Sequence, residues 1–254
     1  MIEELAGVPV EVEYASEFRY RNPIIKPGTL VLCISQSGET ADTLAVLRKA
    51  KEQGITTMAI VNVVGSSIAR EADKVLYIKA GPEIAVATTK AYSCQLMLLS
   101  IIAAYLGIKN KVLDESIFVE YESISDRLEN ILKDTSDTEE IAKRIKDHKD
   151  IFYLGRKIDY SLCMEASLKL KEISYIHSEA YAAGELKHGP IALIENGITV
   201  ISILTDKDLV KKTISNIQEV ITRGAKTLII TNQEIDKSMF DEVIGIPETN
   251  CFVS

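Results

Sequence analysis

Thr29-Leu-Val-Leu-Cys-Ile-Ser-Gln-Ser-Gly-Glu-Thr40 joins a short apolar run to a cluster of polar residues. The apolar half has the length and composition of a strand buried inside a parallel sheet. Beyond it, Leu44 and Leu47 recur at helical spacing. The stretch therefore predicts a buried strand that turns directly into a helix, which is the repeating unit of parallel α/β folds.

The polar half, residues 35–40, has the composition of an anion-binding turn and is called the anion loop. Free backbone N–H groups and the positive end of the helix dipole favour an anion at a helix N-terminus. Four side chains add hydrogen-bond donors there: Ser35, Gln36, Ser37 and Thr40. Gly38 lets the backbone approach a ligand closely. An ordinary N-cap is the alternative, since Ser and Thr are favoured there too, but this cluster favours a phosphate site.

Length, composition and charge limit the class of protein. The chain has 254 residues, of which 46% are apolar, so it can form two modest domains with their own cores. A net charge of −8 argues against a nucleic-acid partner and against an anionic membrane surface. The longest apolar run, residues 96–106, is shorter than a membrane span and predicts a buried helix. We therefore expect neither a nucleic-acid nor a membrane partner.

The cysteines are widely separated in the sequence: Cys33, Cys94, Cys163 and Cys251. This spacing suggests neither a zinc site nor a disulfide framework. Together with the lack of a signal peptide, it predicts a reducing, cytoplasmic setting. No metal and no cofactor is expected.

Two segments of the chain repeat at an offset of 170 residues, the difference between Thr29 and Thr199. Gly54, Thr57 and Asn62 recur at the same offset as Gly224, Thr227 and Asn232. A period this long indicates duplication of a whole domain rather than a solenoid of short repeats. Because strands alternate with helices, the chain is predicted to form two tandem parallel α/β domains.

The repeat also predicts domain boundaries and incomplete edges. We expect a first domain over residues 1–112, a helical connector over 113–149 packed on the second domain, and a second domain over 150–254. The second copy opens with an apolar strand at residues 151–155, whose counterpart in the first copy would precede residue 1. The first copy continues into a long helix from residue 83 to residue 106. The first domain is therefore expected to lack its opening strand, and the second its closing helix.

The two copies differ at the anion loop. The second copy has Thr205-Asp-Lys-Asp-Leu-Val210 there, and its aspartates would repel a phosphate. It carries instead a helix on which Glu165, Lys169 and Glu172 share one face. By periodicity alone, such a face is more often a solvated row of ion pairs than a catalytic site.

Two further polar residues are candidates because of their positions. His188 lies in a loop between Lys187 and a Gly-Pro turn, where a functional and a structural role are about equally frequent. Thr88 lies at the start of the long helix of the first copy. It would either cap that helix or contact a ligand at the carboxyl edge of the sheet.

Four segments together resemble the sugar isomerase (SIS) domains of the glucosamine-6-phosphate synthase family. They are Ser35-Gln-Ser-Gly-Glu-Thr-Ala-Asp-Thr43, Ala85-Val-Ala-Thr-Thr-Lys-Ala91, Leu168-Lys-Leu-Lys-Glu-Ile-Ser-Tyr-Ile-His177 and Glu179-Ala-Tyr-Ala-Ala-Gly-Glu-Leu-Lys-His-Gly-Pro190. The last is the most specific, and the likeness runs in order over essentially the whole chain. It implies two tandem three-layer αβα SIS domains with parallel sheets and flavodoxin-like topology.

The resemblance also implies where the substrate binds. The phosphate of fructose 6-phosphate or glucosamine 6-phosphate would be held by Ser35, Gln36, Ser37 and Thr40. Val86 and Thr88 would contact the sugar, although the family more often has serine at the position of Thr88.

The resemblance implies catalytic roles in the second copy. Glu172 would be the base that moves a proton between C1 and C2 of the sugar, a task that partial burial of the carboxylate would suit. Lys169 would support it. His188 would assist ring opening in the active site of a neighbouring subunit, which implies a homodimer.

The sequence departs from the family pattern in three places. The glutaminase domain, the Gly-Thr-Ser loop that completes the phosphate pocket and the tail with the Schiff-base lysine are absent. We therefore expect the isomerase portion of a longer enzyme, weak or inactive in synthesis by itself. The alternatives are a stand-alone SIS isomerase, deaminase or deglycase of an amino-sugar phosphate, and a phosphosugar-sensing module.

Overall fold

The computed structural model describes residues 1–248, and the chain divides into two compact units. Unit 1 is Met1–Glu115 and unit 2 is Ser116–Ser254. The described residues form a three-stranded sheet in unit 1 and a five-stranded sheet in unit 2, and both sheets are entirely parallel. The predicted α/β class with parallel sheets is confirmed.

Unit 1 alternates strands and helices in the predicted order. Its elements are α1 (Ile2–Ala6), α2 (Ala15–Phe18), β1 (Leu30–Ser35), α3 (Ala41–Glu52), β2 (Thr56–Val61), α4 (Ser67–Glu71), β3 (Lys74–Tyr77) and α5 (Lys90–Lys109). The strands pair in the order β1-β2-β3. Leu47 of α3 and Ile68 of α4 are fully buried against the sheet residues Cys33, Ala59 and Val61. One face of this sheet is therefore covered by α3 and α4.

No strand precedes β1 within residues 1–29, in agreement with the predicted lack of an opening strand. Residues 9–14, which align with the second strand of the other copy, form no strand either, and Val12 and Tyr14 are exposed. A parallel strand needs a neighbouring strand for its backbone N–H and C=O groups. Since none of the described residues supplies one to this segment, β1 is an edge strand, and its Leu30 and Ile34 are 47% and 41% exposed.

Unit 2 has the strand order β5-β4-β6-β7-β8. Its elements are α6 (Ile117–Leu132), α7 (Ser136–Ile145), β4 (Asp150–Gly155), α8 (Ile158–Ser174), β5 (His177–Ala182), β6 (Thr199–Leu204), α9 (Val210–Ile221), β7 (Lys226–Thr231) and β8 (Glu242–Gly245). Counted within the unit, this is the order 2-1-3-4-5 of flavodoxin-like sheets. The predicted lack of a closing helix, and Cys251, fall outside the described residues.

Alternate residues of β4 supply two separate cores. Ile151 and Tyr153 point to one face, where they pack with Ile141 of α7 and Cys163 of α8. Phe152 and Leu154 point to the other face and join a cluster that includes Ile217 and Val220 of α9. Successive side chains of a strand lie on opposite faces of the sheet, so unit 2 is a three-layer αβα structure.

Helix α5 differs from the prediction at its start and in its packing. It begins at Lys90 rather than residue 83, because the Glu83 carboxylate accepts the Ala91 N–H at 3.0 Å and caps the helix from outside. With 20 residues, α5 is long and apolar enough to cross a membrane by length and composition alone. The expectation that this part of the chain is too short for a membrane span is therefore wrong. Core helices of soluble proteins pass the same test, but only 28% of its apolar window is buried in this structure, so the prediction of a buried helix is wrong as well.

Candidate functional site

The anion loop lies at the carboxyl edge of the unit 1 sheet, between β1 and α3. Thr40 occupies the N-cap position of α3, yet its hydroxyl makes no bond to the first turn of that helix. Its Oγ1 instead lies 2.9 Å from Oγ of Ser35, the last residue of β1. The first N–H groups of a helix have no acceptor within it. The N-cap side chain of α3 supplies no acceptor for these groups.

Hydrogen bonds inside the anion loop hold its turn. The Gly38 N–H donates to Ser35 Oγ at 3.0 Å, and the Glu39 N–H donates to Ser37 Oγ at 3.2 Å. Gly38 has φ +68°, and a Cβ at this position would lie 2.0 Å from Ser66 Oγ. The close approach of Ser66 therefore requires glycine here, in addition to the conformational preference.

Two carboxylates flank the anion loop, and each has a partner within unit 1. Asp42, in the first turn of α3, pairs with Arg19, and this hydrogen bond raises the pKa of the guanidinium. Glu39 accepts the Ser67 N–H at 2.8 Å, and its hydrogen bonds with Ser67 lower the pKa of the carboxyl. Both carboxylates are thus bonded to protein donors, Asp42 to Arg19 and Glu39 to Ser67.

In the corresponding turn of unit 2, an internal carboxylate bonds the residue that replaces Ser35. Thr205, at the position of Ser35, donates its hydroxyl to Asp159 Oδ1 at 2.5 Å and its N–H to Oδ2 at 3.0 Å. Asp159 is 2% exposed. An internal carboxylate therefore holds Thr205 in unit 2, whereas its counterpart Ser35 pairs with Thr40 in unit 1. The N-cap side chains of α3 and α9 both make no bond to their helices.

The two sugar-contact candidates lie in the segment between β3 and α5. Because the strands of unit 1 are parallel, this segment leaves the same sheet edge as the anion loop. Val86 is 95% exposed and Thr88 is half-buried. The N-cap of α5 is Thr89, so the helix-cap alternative for Thr88 is wrong. A cavity of about 390 Å³ opens at this edge between Asn62, Tyr77 and Lys79.

The catalytic candidates Lys169 and Glu172 form part of an ion-pair row on α8. Lys169 Nζ lies 2.6 Å from Glu172 Oε2 and 3.5 Å from Glu165 Oε1. Burial would lower the pKa of Lys169, but the hydrogen bond to Glu172 and the charges of both carboxylates outweigh it and raise the pKa. Lys169 is therefore a cation near neutral pH, which suits an electrostatic role and not a nucleophilic one.

His188 lies at the end of a short 3-10 helix, Leu186–His188, rather than in an irregular loop as the sequence suggested. Gly189 joins this turn to a second one at Pro190–Leu193 with φ +146°. The imidazole is exposed, and its Nε2 lies 4.0 Å from Glu185 Oε2. The ring is thus accessible at the surface of unit 2.

The anion loop and the segment that carries the sugar candidates both leave the carboxyl edge of the unit 1 sheet, whereas Lys169, Glu172 and His188 lie in unit 2. Sequence reasoning missed two contacts of the anion loop, that of Glu39 with Ser67 and that of Gly38 with Ser66. The repeat offered a signal, because Glu39 and Ser66 differ in chemistry from their counterparts in the second copy, Leu209 and Asp236.

The SIS domain family model matches residues 1–105 and 144–239, well over half of the chain. The chain belongs to the SIS domain family. The predicted resemblance to this family is therefore confirmed, and the two matched ranges contain every candidate residue named above.

Two curated relatives are longer than this chain. It is 56% identical over 255 residues to glutamine–fructose-6-phosphate aminotransferase (isomerizing) of Clostridium tetani, covering 98% of the chain and 42% of that protein. The equivalent protein of Clostridium perfringens is 52% identical, with coverage of 100% and 43%. The chain therefore spans about two fifths of the length of these relatives.

A solved SIS structure has the same fold. The C-terminal domain of glucosamine-fructose-6-phosphate aminotransferase from Francisella tularensis matches with a TM-score of 0.91 and 40% sequence identity. The match covers 99% of this chain and 73% of that chain.

Proposed function

We propose that this chain is the sugar-phosphate isomerase portion of a glutamine–fructose-6-phosphate aminotransferase and that unit 1 binds the substrate phosphate. The observation that carries the proposal is the open N-terminus of α3. Thr40 bonds to Ser35 instead of capping the helix, which keeps two hydroxyls beside that N-terminus, whereas in unit 2 the residue in place of Ser35, Thr205, is bonded to Asp159. Helix N-termini with hydroxyl donors are anion sites, and the relatives named above are aminotransferases of a sugar phosphate.

The proposed substrate site uses the anion loop for the phosphate of fructose 6-phosphate or glucosamine 6-phosphate. Gln36 and the hydroxyls of Ser35, Ser37 and Thr40 donate to the phosphate oxygens. Val86 and Thr88, on the same sheet edge, contact the sugar. The phosphate anchors the ligand, so that the remaining binding energy orients C1 and C2 of the sugar.

The proposed chemistry is a proton transfer within the bound sugar. Glu172 removes a proton from C1 and returns it to C2, which converts the ketose skeleton to an aldose skeleton. The positive charge of Lys169 holds the carboxylate in place. His188 assists ring opening from a neighbouring subunit, so the active form is a homodimer. Ammonia comes from glutamine, which the remaining length of the full protein hydrolyses, and the setting is cytoplasmic.

The binding step is tested by calorimetric titration of the chain with fructose 6-phosphate, with fructose as the unphosphorylated control. Thr40→Val removes one hydroxyl from the anion loop without changing side-chain shape. Thr29→Val is the matched control, since Thr29 precedes the opposite, amino end of β1. We expect Thr40→Val to weaken binding about tenfold and Thr29→Val to leave it unchanged. Amide shift changes that avoid residues 35–40 would overturn the proposal.

The catalytic step is tested on the same ligand in D₂O with ammonium present, following deuterium at C1 and C2 by NMR. Glu172→Gln should abolish exchange and spare binding. Glu165→Gln removes the other carboxylate that pairs with Lys169 and should keep exchange. If Glu172→Gln loses binding and exchange equally, the chain is better described as a phosphosugar-sensing module.

A further inference from the structure

In unit 1 the anion loop is tied to a second segment, residues 62–68, called the clamp segment. The Asn62 N–H donates to the Gln36 carbonyl at 3.0 Å, and the Ile68 N–H donates to the Gly38 carbonyl at 3.0 Å. The third bond runs from the Ser67 N–H to Glu39 Oε1 at 2.8 Å. Three positions of the loop, Gln36, Gly38 and Glu39, are thus fixed by one neighbouring segment.

Two of these bonds provide acceptors for the N–H groups at the start of α4. Ser67 and Ile68 are its first two residues, and their N–H groups have no acceptor within the helix. Ser66, at the N-cap, makes no side-chain cap bond. Its hydroxyl is buried without a hydrogen-bond partner and packs against Gly38. The anion loop therefore caps α4 in place of the residue that usually does so.

In unit 2 the corresponding turn is capped by a residue of its own segment. Asp236, the counterpart of Ser66 at the offset of 170, accepts the N–H of Ser238 at 3.0 Å. Ser238 is the counterpart of Ile68, whose N–H goes to the anion loop in unit 1. Leu209, the counterpart of Glu39, has no side-chain acceptor. The long-range cap thus occurs in the unit whose loop is rich in hydroxyls, and the local cap in the unit whose loop carries two aspartates.

The negative charge of Glu39 is unexpected in a loop that binds phosphate. A carboxylate in a loop that binds phosphate repels the ligand, so its presence needs a compensating role. The Ser67 N–H and the nearby positive charge of Arg70 stabilise the carboxylate and lower its pKa. Fixing the backbone of residues 36–39 keeps the donors of the anion loop in one geometry, which reduces the entropy lost when the ligand binds.

We propose that Glu39 is a positioning residue for phosphate binding: its carboxylate caps α4 and locks the anion loop onto the clamp segment. This inference rests on the proposed function, because it assigns the loop a phosphate ligand. Glu39 does not contact that ligand. Ser66 provides the surface against which Gly38 is seated.

The test compares two carboxylates of equal charge near α4. Glu39→Ala and Glu39→Gln are titrated with fructose 6-phosphate and with inorganic phosphate. Glu71→Gln is the matched control, since Glu71 lies on α4, carries a lowered pKa and pairs with Arg48 instead of the loop. We expect Glu39→Ala to bind both ligands about tenfold more weakly, and Glu39→Gln to stay within about threefold because its amide oxygen still accepts the Ser67 N–H. Glu71→Gln should bind both ligands as the unaltered chain does.

Each opposite result overturns the proposal. Unchanged or tighter binding in Glu39→Ala would show that the carboxylate acts only through repulsion. Equal losses of binding in Glu39→Ala and Glu39→Gln would show that the negative charge of Glu39 matters and that the hydrogen bond it accepts from Ser67 does not.

A ligand-free measurement separates this inference from the proposed function. Without any ligand, hydrogen exchange of residues 36–40 should be faster in Glu39→Ala than in the unaltered chain, and unchanged in Glu71→Gln. Failure of the unaltered chain to bind phosphate would refute the proposed function alone. Unchanged exchange in Glu39→Ala would refute the positioning role.

Discussion

Gly38 is the residue on which the anion loop depends most directly. Its φ of +68° costs an L-residue about 1 kcal/mol or more, and a Cβ would also lie 2.0 Å from Ser66 Oγ. We expect Gly38→Ala to destabilise the chain by more than backbone strain alone and to weaken fructose 6-phosphate binding at least tenfold. Urea unfolding and calorimetric titration measure the two effects.

Gly65 separates the two causes of that loss. Its φ is +73°, but a Cβ there would meet no atom within 4 Å. Gly65→Ala therefore carries the backbone strain without the steric conflict, and should cost less than Gly38→Ala. Equal costs would mean that Ser66 imposes no constraint on the loop.

These residues show the limit of what the local sequence could reveal. The hydroxyls and the glycine of residues 35–40 predicted an anion-binding turn because their chemistry is local. The role of Ser66 depends on a contact across 28 positions, and in the sequence this residue is indistinguishable from an ordinary N-cap. Glu39 was likewise visible as a residue of the motif, but its partner Ser67 was not.

Strand β2 and the turn before β3 are joined by a threonine–aspartate arrangement that recurs in unit 2. Thr57 donates its N–H and hydroxyl to Asp73 Oδ2, both at 2.8 Å, and the Asp73 N–H donates back to Thr57 Oγ1. Thr227 and Asp241 make the same three bonds. In both sheets the carboxylate fixes the start of one strand to the approach of the next.

The hydrogen bonds from Thr57 lower the pKa of Asp73 to about 2, with a smaller contribution from Lys51. Since this pKa is lower in the folded chain than its ordinary value, the contribution of Asp73 to stability is complete above that ordinary value. It is lost as the pH falls toward 2. We expect the free energy of unfolding of Asp73→Asn, from urea titrations at pH 6 and pH 3, to change less with pH than that of the unaltered chain. An identical pH dependence would contradict this origin of acid sensitivity.

At the level of elements, the sequence pattern predicted correctly which apolar runs are strands of a parallel sheet, but it could not predict whether a candidate segment finds a strand to pair with. The apolar runs of β1, β2 and β4 fixed the parallel sheets, because buried strands have a distinctive composition. Residues 9–14 have alternating valines yet form no strand, since pairing depends on a neighbour and not on composition. The start of α5 was missed for a related reason: Glu83 caps it from outside the helical run.

The two units differ in how completely their sheets are covered. Unit 2 has five strands with a core on each face, whereas β1 of unit 1 is an edge strand with two exposed apolar side chains. Apolar burial is the main favourable contribution to folding. We therefore infer that unit 1 is the less stable unit and unfolds first.

Leu47 and Ile217 test this inference at matched positions of the repeat. Both are completely buried, one in the core of unit 1 and the other in a core of unit 2. Replacing either by alanine removes buried carbon and leaves a cavity, at a cost of about 2–5 kcal/mol. Calorimetry should show two transitions: Leu47→Ala lowers the first, Ile217→Ala lowers the second, and fructose 6-phosphate raises the first alone because it binds the folded form of unit 1. A single transition lowered equally by both substitutions would mean that the chain unfolds as one cooperative body.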